Sequence, residues 1–379
     1  MPVTPTPRPH PRRRRKLALR LVLACIATLI ALLLGELVCR IWAQPMVGRG
    51  RFFTQNGLEV PLGEIIAFLT RMPEADSRHN LRQEKPHGMM LANLKLRMGY
   101  TPPPRWDYFD ANGCVPVDTN SLGLRDEEFA AAKAPGEFRV LALGDSMTYG
   151  QGVRLDLTWP QVLERALRPE LGRPVEVINA GFAAGPGVSS PDGYDRWFAD
   201  NGILFAPDVV VVGICLNDLG PIPMLTYPVV PLEPVWGGFS RLLDRSAQFV
   251  RQRQVRAQRR DLLPLVQQQP AAWQGTQRGL LALRDTCQQA GIALLVVILP
   301  MMSQLEPELY PCRGLHALVA DFCREHGIAS SDLLEAFLGR SEHELWVHPS
   351  DQHPNHLGHR LIAEAVHASL RDRQLLPGR

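Results

Sequence analysis

From residue 136 onward the chain alternates two kinds of apolar pattern. Short continuous runs, "FRVLALGDS" (138–146), "VEVINAGF" (175–182), "PDVVVVGICLND" (207–218) and "IALLVVILP" (292–300), have the character of strands covered on both faces. Between and after them lie stretches of helical period. These are "TWPQVLERALRPEL" (158–171), with Thr158 as its cap and Pro160 in the first turn, then residues 188–204, "AWQGTQRGLLALRDTCQQAG" (272–291) and residues 313–327. "GIASSDLL" (327–334) is a weaker fifth strand, and "HLGHRLIAEAVHASLRD" (356–372) is a closing amphipathic helix. Alternation at this spacing predicts an α/β fold, a parallel sheet with right-handed crossovers and helices on both faces.

Upstream the pattern changes. Residues 1–16 are a basic tail, and residues 17–40 hold the nearly uncharged run "LVLACIATLIALLLGELVC" between Arg20 and Arg40, with Glu36 near its far end. About 20 apolar residues suffice to cross a bilayer as a helix. The basic flank predicts a cytoplasmic N-terminus and an extracytoplasmic body, as for a single-pass protein of a bacterial inner membrane. A cleaved signal peptide is the competing reading; the length of the run and the lack of a small-x-small site after it favour an uncleaved signal anchor. Residues 44–135 mix loop-like segments such as "TPPPRWDYFD" with "VDTNSLGLRDEEF", a turn into a capped element, and read as a stalk or cover without chemistry of its own. The main domain is then 136–375, interrupted by an insertion over 219–272. Within the insertion, "SRLLDRSAQFVRQRQVRAQRR" is an arginine-rich helix with Asp244 as its one acid. A solvated helix covering the site is the plainer reading of it; contact with anionic lipid or glycan is the other.

Composition adds limits. An apolar share of 45% and a charged share of 21% describe an ordinary globular protein. The formal net charge is +3, yet the first twenty residues alone carry Arg8, Arg12, Arg13, Arg14, Arg15, Lys16 and Arg20 with no acid. The remainder is therefore net acidic, which argues against nucleic acid as a partner. The cysteines at 25, 39, 114, 215, 287, 312 and 323 show no zinc-ligand spacing. Cys215 and Cys287 read as buried thiols, and a Cys312–Cys323 bridge stays open for an exported domain.

The candidate chemistry lies at strand ends. The first strand stops at Gly144-Asp145-Ser146, the second at Asn179-Ala180-Gly181 and on to Gly185, the third at Asn217-Asp218. Each is an ordinary turn when taken singly. In a parallel sheet, however, the carboxyl ends lie side by side, where open α/β sheets place their sites. A serine needs a base, and "VHPSDQHPNHLGHRLIAEA" supplies His353 with Asp351 two residues before it. A metal reading of His348, His353, His356, His359 and Asp351 is disfavoured, because a three-residue spacing drifts around a helix instead of converging on one ion.

In order, GDSMTYG, NAGFAAG, GICLND and DQHPNHLGH make residues 136 to 372 resemble the SGNH (GDSL) hydrolase family, in its membrane-anchored bacterial form. The resemblance implies a three-layer α/β/α, flavodoxin-like fold whose five-stranded parallel sheet has the order 2-1-3-4-5, here preceded by a transmembrane helix. It implies Ser146 as nucleophile, His353 as general base and acid, and Asp351 as the orienting carboxylate. It implies an oxyanion hole of the Ser146 N–H, a glycine N–H and the Asn217 side chain, with Asp145 and Asp218 in support, and neither metal nor cofactor. Two positions depart from the family pattern. The acid usually stands three residues before the histidine, and Ala184 fills the usual glycine position, so Gly185 is the expected donor with Gly181 in reserve. The implied substrate is an acylated carbohydrate or a lipid ester. The expected activity is a serine esterase acting on ester, above all O-acetyl, groups of an envelope or exported carbohydrate. O-acyl transfer in polysaccharide assembly, lipid ester cleavage and non-catalytic glycan binding are the alternatives. The G-x-S-x-G elbow of α/β-hydrolases is absent.

Overall fold

The computed structural model describes residues 11–42, 50–60, 90, 92–101, 103–182, 191–220, 240–257 and 261–378, which form two compact units. The first unit is a helix pair: α1 (Pro11–Trp42) and a helix over Arg241–Ala257, which is α5 in chain order. Within α1, Leu19–Ile41 is long and apolar enough to cross a membrane, and its large apolar side chains are exposed. Glu36, in that stretch, accepts hydrogen bonds from Ser240 Oγ (2.8 Å), Arg241 N (3.1 Å) and Leu242 N (3.0 Å).

In the second unit a small antiparallel sheet comes first, with β1 (Arg51–Thr54), β2 (Glu59–Val60), β3 (Leu96–Gly99) and β4 (Cys114–Pro116) in the order β2-β1-β3-β4. The main sheet follows: β5 (Phe138–Gly144), β6 (Val175–Gly181), β7 (Val209–Cys215), β8 (Ala293–Leu299) and β9 (Ala329–Asp332). Its order is β6-β5-β7-β8-β9 and every pairing is parallel, the 2-1-3-4-5 arrangement of a three-layer α/β/α fold. All seven residues of both β5 and β7 are buried, as continuous apolar runs require when helices cover both faces.

Between β5 and β6 lie α2 (Ser146–Tyr149) and α3 (Trp159–Leu171); α4 (Pro191–Asp200) follows β6. After α5 in the chain come α6 (Leu263–Gln268), still within the insertion, then α7 (Ala271–Ala290), α8 (Arg313–Glu325), α9 (Glu342–Leu345), the hairpin of β10 (Trp346–His348) and β11 (Asp351–Pro354), and α10 (His356–Asp372). On one face α3 packs against α10; on the other α4 packs against α7, which Trp273 joins to Phe322 of α8.

Several expectations need correction. Thr158 precedes α3, but its hydroxyl donates to Leu155 O (2.8 Å) instead of capping the helix. The helix expected over 188–204 is α4 followed by a short 3-10 turn at Gly202–Phe205, and α8 ends at Glu325. Cys312 and Cys323 are both buried free thiols, so no bridge joins them. "VDTNSLGLRDEEF" opens no helix. It is an irregular strap held by its own side chains, in which Asn120 Oδ1 accepts from Leu122 N and Leu124 N (3.0 Å each). The buried Arg125 of this strap donates to Tyr149 O (2.7 Å), Gly150 O and Val153 O, and Asp126 accepts from Asn179 N (2.7 Å) and Gln161 Nε2 (2.6 Å).

Register sets the geometry of the sheet's carboxyl edge. Gly144 pairs with Gly181 on one side and Gly213 on the other, a row of three glycines over which α2 lies. A Cβ on Gly181 would stand 2.0 Å from Tyr149 N and 2.5 Å from Thr148 C; one on Gly144 would stand 2.1 Å from Thr148 Oγ1. The first clash is with backbone, which cannot swing aside. We expect Gly181→Ala to lower the free energy of unfolding by about 1–3 kcal/mol, read from urea denaturation. An unchanged midpoint would mean that α2 lifts off the sheet freely.

Candidate active site

Ser146 stands two residues past Gly144, the end of β5, and opens α2, whose N-cap is Asp145. Asp145 Oδ1 accepts from Met147 N (2.9 Å), which fixes the turn. Its neighbours Asp145 and Met147 are buried, whereas Ser146 is only half-buried. The Ser146 hydroxyl stands 2.7 Å from His353 Nε2, and His353 Nδ1 stands 2.5 Å from Asp351 Oδ1. A strand explains the two-residue spacing. Asp351 and His353 both lie on β11, where residues i and i+2 face the same side. The Asp351 Oδ1 also accepts from His353 N (3.1 Å), so one carboxylate oxygen holds both backbone and ring.

Burial alone would raise the Asp351 carboxyl, but the His353 charge and the donors around it hold it well below the ordinary carboxylate range. For His353 burial works downward, yet the Asp351 carboxylate outweighs it and raises the imidazole. The side chains keep 8% and 23% of their surface respectively, so the pair is desolvated on the acid side and open at the ring. A hydroxyl bonded to an imidazole that is itself held by a carboxylate can lose its proton as it attacks a carbonyl.

The family description of GDSL-like lipases and acylhydrolases matches residues 142–361, more than half of the chain. The chain belongs to this family. As a GDSL-family protein it is a serine hydrolase of the esterase and acylhydrolase kind. No curated protein sequence matches it. Solved structures that it resembles include a catalytic mutant of the acetylxylan esterase Axe2 from Geobacillus stearothermophilus, with 17% identity over 64% of this chain and 97% of that one and a TM-score of 0.39. TesA shows 16% identity over 63% and 99%, with a TM-score of 0.40. The psychrotrophic esterase EstA from Pseudoalteromonas shows 14% identity over 62% and 98%, with a TM-score of 0.38.

Asn217 is half-buried in the 3-10 turn Leu216–Leu219 that follows β7, beside Asp145. Its Oδ1 has no hydrogen-bond partner among the described residues. Burial raises the Asp145 carboxyl, and burial together with Asp145 pushes Asp218 well up. The Gly181 N–H is engaged by Asn179 Oδ1 (3.0 Å). Gly185, the expected donor glycine, lies outside the described residues. The other histidines separate. His359 is buried, accepts from Trp159 N (3.1 Å) at Nδ1, and is driven by burial down to about 3. His356 meets the edges of Trp106 and Tyr108, and His348 lies against Tyr100. The last helix is capped by Asn355, whose Oδ1 accepts from Leu357 N (2.9 Å) and Gly358 N (3.2 Å).

Two partners of Asp351 escape the sequence reading. Tyr100 OH donates to Asp351 Oδ2 (2.6 Å), and Gln151 Nε2 donates to the same oxygen (3.2 Å). Tyr100 follows β3 of the small sheet, so the region expected to be a cover without chemistry reaches the triad-like chain directly. It shares a cluster with Phe52, Met98, Tyr108, Tyr149, Val153 and Val347, which fixes its ring. Nothing in the sequence links position 100 to position 351; only the packed sheet does. Tyr100→Phe removes a charge-assisted bond worth about 1.5–3 kcal/mol. The expected result is a kcat lowered at least about tenfold at unchanged KM, with the acidic limb of the pH profile moved upward because Asp351 loses a charge-withdrawing donor. A wild-type kcat and limb would assign Tyr100 to packing alone.

Proposed function

We propose that this GDSL-family hydrolase cleaves carboxylic esters through a Ser146–His353–Asp351 triad, on O-acetyl groups of an envelope or exported carbohydrate. The observation that carries the reading is the unbroken hydrogen-bonded chain from the Ser146 hydroxyl through His353 to Asp351. In the first step Ser146 Oγ attacks the ester carbonyl and His353 Nε2 takes its proton. The tetrahedral oxyanion is held by the Ser146 N–H, the Asn217 side chain and the Gly185 N–H. His353 then gives the proton to the leaving sugar alkoxide, and the acyl-serine remains. Water repeats the sequence and releases the acid. Asp351 holds the imidazole in the tautomer with a proton on Nδ1. Asp145 and Asp218 support the edge, Asp145 by capping the turn that carries Ser146.

The carbohydrate assignment draws on the apolar helix Leu19–Ile41. Read as an uncleaved anchor, it tethers the hydrolase on the extracytoplasmic side of a bacterial inner membrane, where acetylated polymers pass. O-acyl transfer uses the same residues with a sugar hydroxyl in place of water. Lipid ester cleavage uses them as well, with a longer acyl chain. A purely glycan-binding role would leave the Ser146–His353 pairing without a use.

Hydrolysis of p-nitrophenyl acetate and longer esters by the full chain is the test. We expect short-chain preference, loss of turnover in Ser146→Ala with the fold retained, and a kcat about 10²–10³-fold lower in Asn217→Ala. Turnover in Ser146→Ala overturns the mechanism, and long-chain preference replaces carbohydrate with lipid.

The pH profile gives a separate check. His353 acts as a base only when neutral, and Asp351 raises its pKa above the ordinary imidazole value. The acidic limb of kcat/KM is therefore expected above about 6.5. A limb at or below that value would mean that another group governs proton transfer.

A further inference from the structure

Helix α5 has a composition that neither the core nor the ester chemistry explains. Over Arg241–Ala257 it holds arginines at 241, 245, 251, 253 and 256 against Asp244 alone. It also leaves large apolar side chains uncovered: Leu243 is 45% exposed, Phe249 57% and Val250 52%. Leu243 and Val250 are seven residues apart and share one line along the helix; Leu242 and Phe249 share a second line about 100° round the axis. Leu242 packs toward Gly35 of α1, where a Cβ would meet its methyls at 3.3 Å.

The start of α5 is fixed by a single carboxylate. Glu36 accepts from Ser240 Oγ and from the amides of Arg241 and Leu242, which satisfies the first orphan donors of the helix. Glu36 also pairs with Arg40 (2.7 Å) one turn further on. Glu36 lies five residues before Ile41, the end of the apolar stretch, a rise of about 7.5 Å along the helix. Amphipathic helices on membranes bury their apolar face about 5–10 Å into the boundary between headgroups and acyl chains. The two depths coincide.

We propose that α5 lies on the anionic surface of the bilayer that α1 crosses, with Leu243, Phe249 and Val250 inserted and the helix's basic charge drawing it to acidic lipid headgroups. This rests on the reading of α1 as a membrane span. The occupant is lipid and not a soluble acidic glycan, because Glu36 fixes the first turn of α5 at the end of the apolar stretch and because exposed leucine, phenylalanine and valine suit acyl chains. The arrangement makes α1 and α5 one two-part anchor, a span and a surface helix joined by the Glu36 cap. Attraction of this kind depends on lipid charge and weakens with salt.

The test uses the full chain in nanodiscs of phosphatidylcholine, and in nanodiscs made from an equal mixture with phosphatidylglycerol. Amide hydrogen exchange over residues 241–257 is followed by mass spectrometry. Exchange about tenfold slower in the acidic discs is expected. The difference should shrink in high salt and vanish in the triple variant Arg251→Gln, Arg253→Gln, Arg256→Gln. Equal exchange in both discs, with the chain incorporated and resistant to alkaline carbonate, overturns the proposal while the span stands. Extraction by carbonate instead overturns the reading of α1 itself. Protection of 241–257 in neutral discs by added heparin, without a lipid effect, would transfer the surface to an acidic glycan.

Discussion

The site depends on one steric constraint, the approach of the Ser146 turn to the carboxyl edge of the sheet. The backbone of α2 passes so near Gly181 that no side chain fits between them, and Gly144 leaves room for Thr148. Three glycines in register across β6, β5 and β7 clear this strip. Any Cβ at Gly181 would lift the backbone that carries the serine and open its 2.7 Å contact with His353. The strap through Arg125 holds the far end of the same turn, where one guanidinium satisfies carbonyls of Tyr149, Gly150 and Val153. Buried carbonyls without such a donor would each cost about 1–3 kcal/mol. The serine is therefore clamped from below by the absence of side chains and from the end by a buried cation.

A second requirement follows from burial. The Asp351 carboxylate sits in a nearly dry place, where a lone carboxylate would take up a proton. Four donors prevent this: the ring and amide of His353, Tyr100 OH and Gln151 Nε2. Two of them come from far along the chain. Gln151 is carried by the loop that Arg125 holds, and Tyr100 by the small sheet. The glycine row, the strap and the small sheet thus converge on the same few atoms, and the N-terminal region is part of the site's electrostatics.

The main sheet is legible in the sequence because each strand is a continuous apolar run, and such runs belong only between two helical layers. Ser146 and Asn217 are legible for a related reason, since polar residues that end such runs stand at a common edge; Asp351 and His353 are legible only because a serine needs a base and the C-terminal stretch offers one. The small sheet is not legible. Its strands, from Arg51–Thr54 to Cys114–Pro116, span four residues or fewer and show no clean alternation. Tyr100 is invisible for the same cause, and its partner lies 251 residues away. The strap misleads because "NSLGLRDEE" offers an asparagine followed by acids, the chemistry of a helix start; here Asn120 caps a turn and Asp126 serves the Asn179 amide. His359, whose spacing already disfavours a metal, is a core histidine that ties α3 to α10.

Two carboxylates stand near His353, and the structure treats them oppositely. Asp351 is held ionised by converging donors, whereas Asp145, which accepts from the Met147 amide, is pushed upward by burial and stands beside a second buried acid, Asp218. Like charges so placed do not both ionise readily. Both carboxylates raise the His353 imidazole, Asp351 foremost. They differ in how their own charge is supported. Around Asp145 the Met147 amide and the Asn217 side chain favour the ionised form while burial opposes it, and its carboxyl stays raised. Around Asp351 the donors outweigh burial and hold the carboxyl low. The acid behind Nδ1 is thus the better supported of the two, and a charge in that position stabilises the imidazole when it takes a proton.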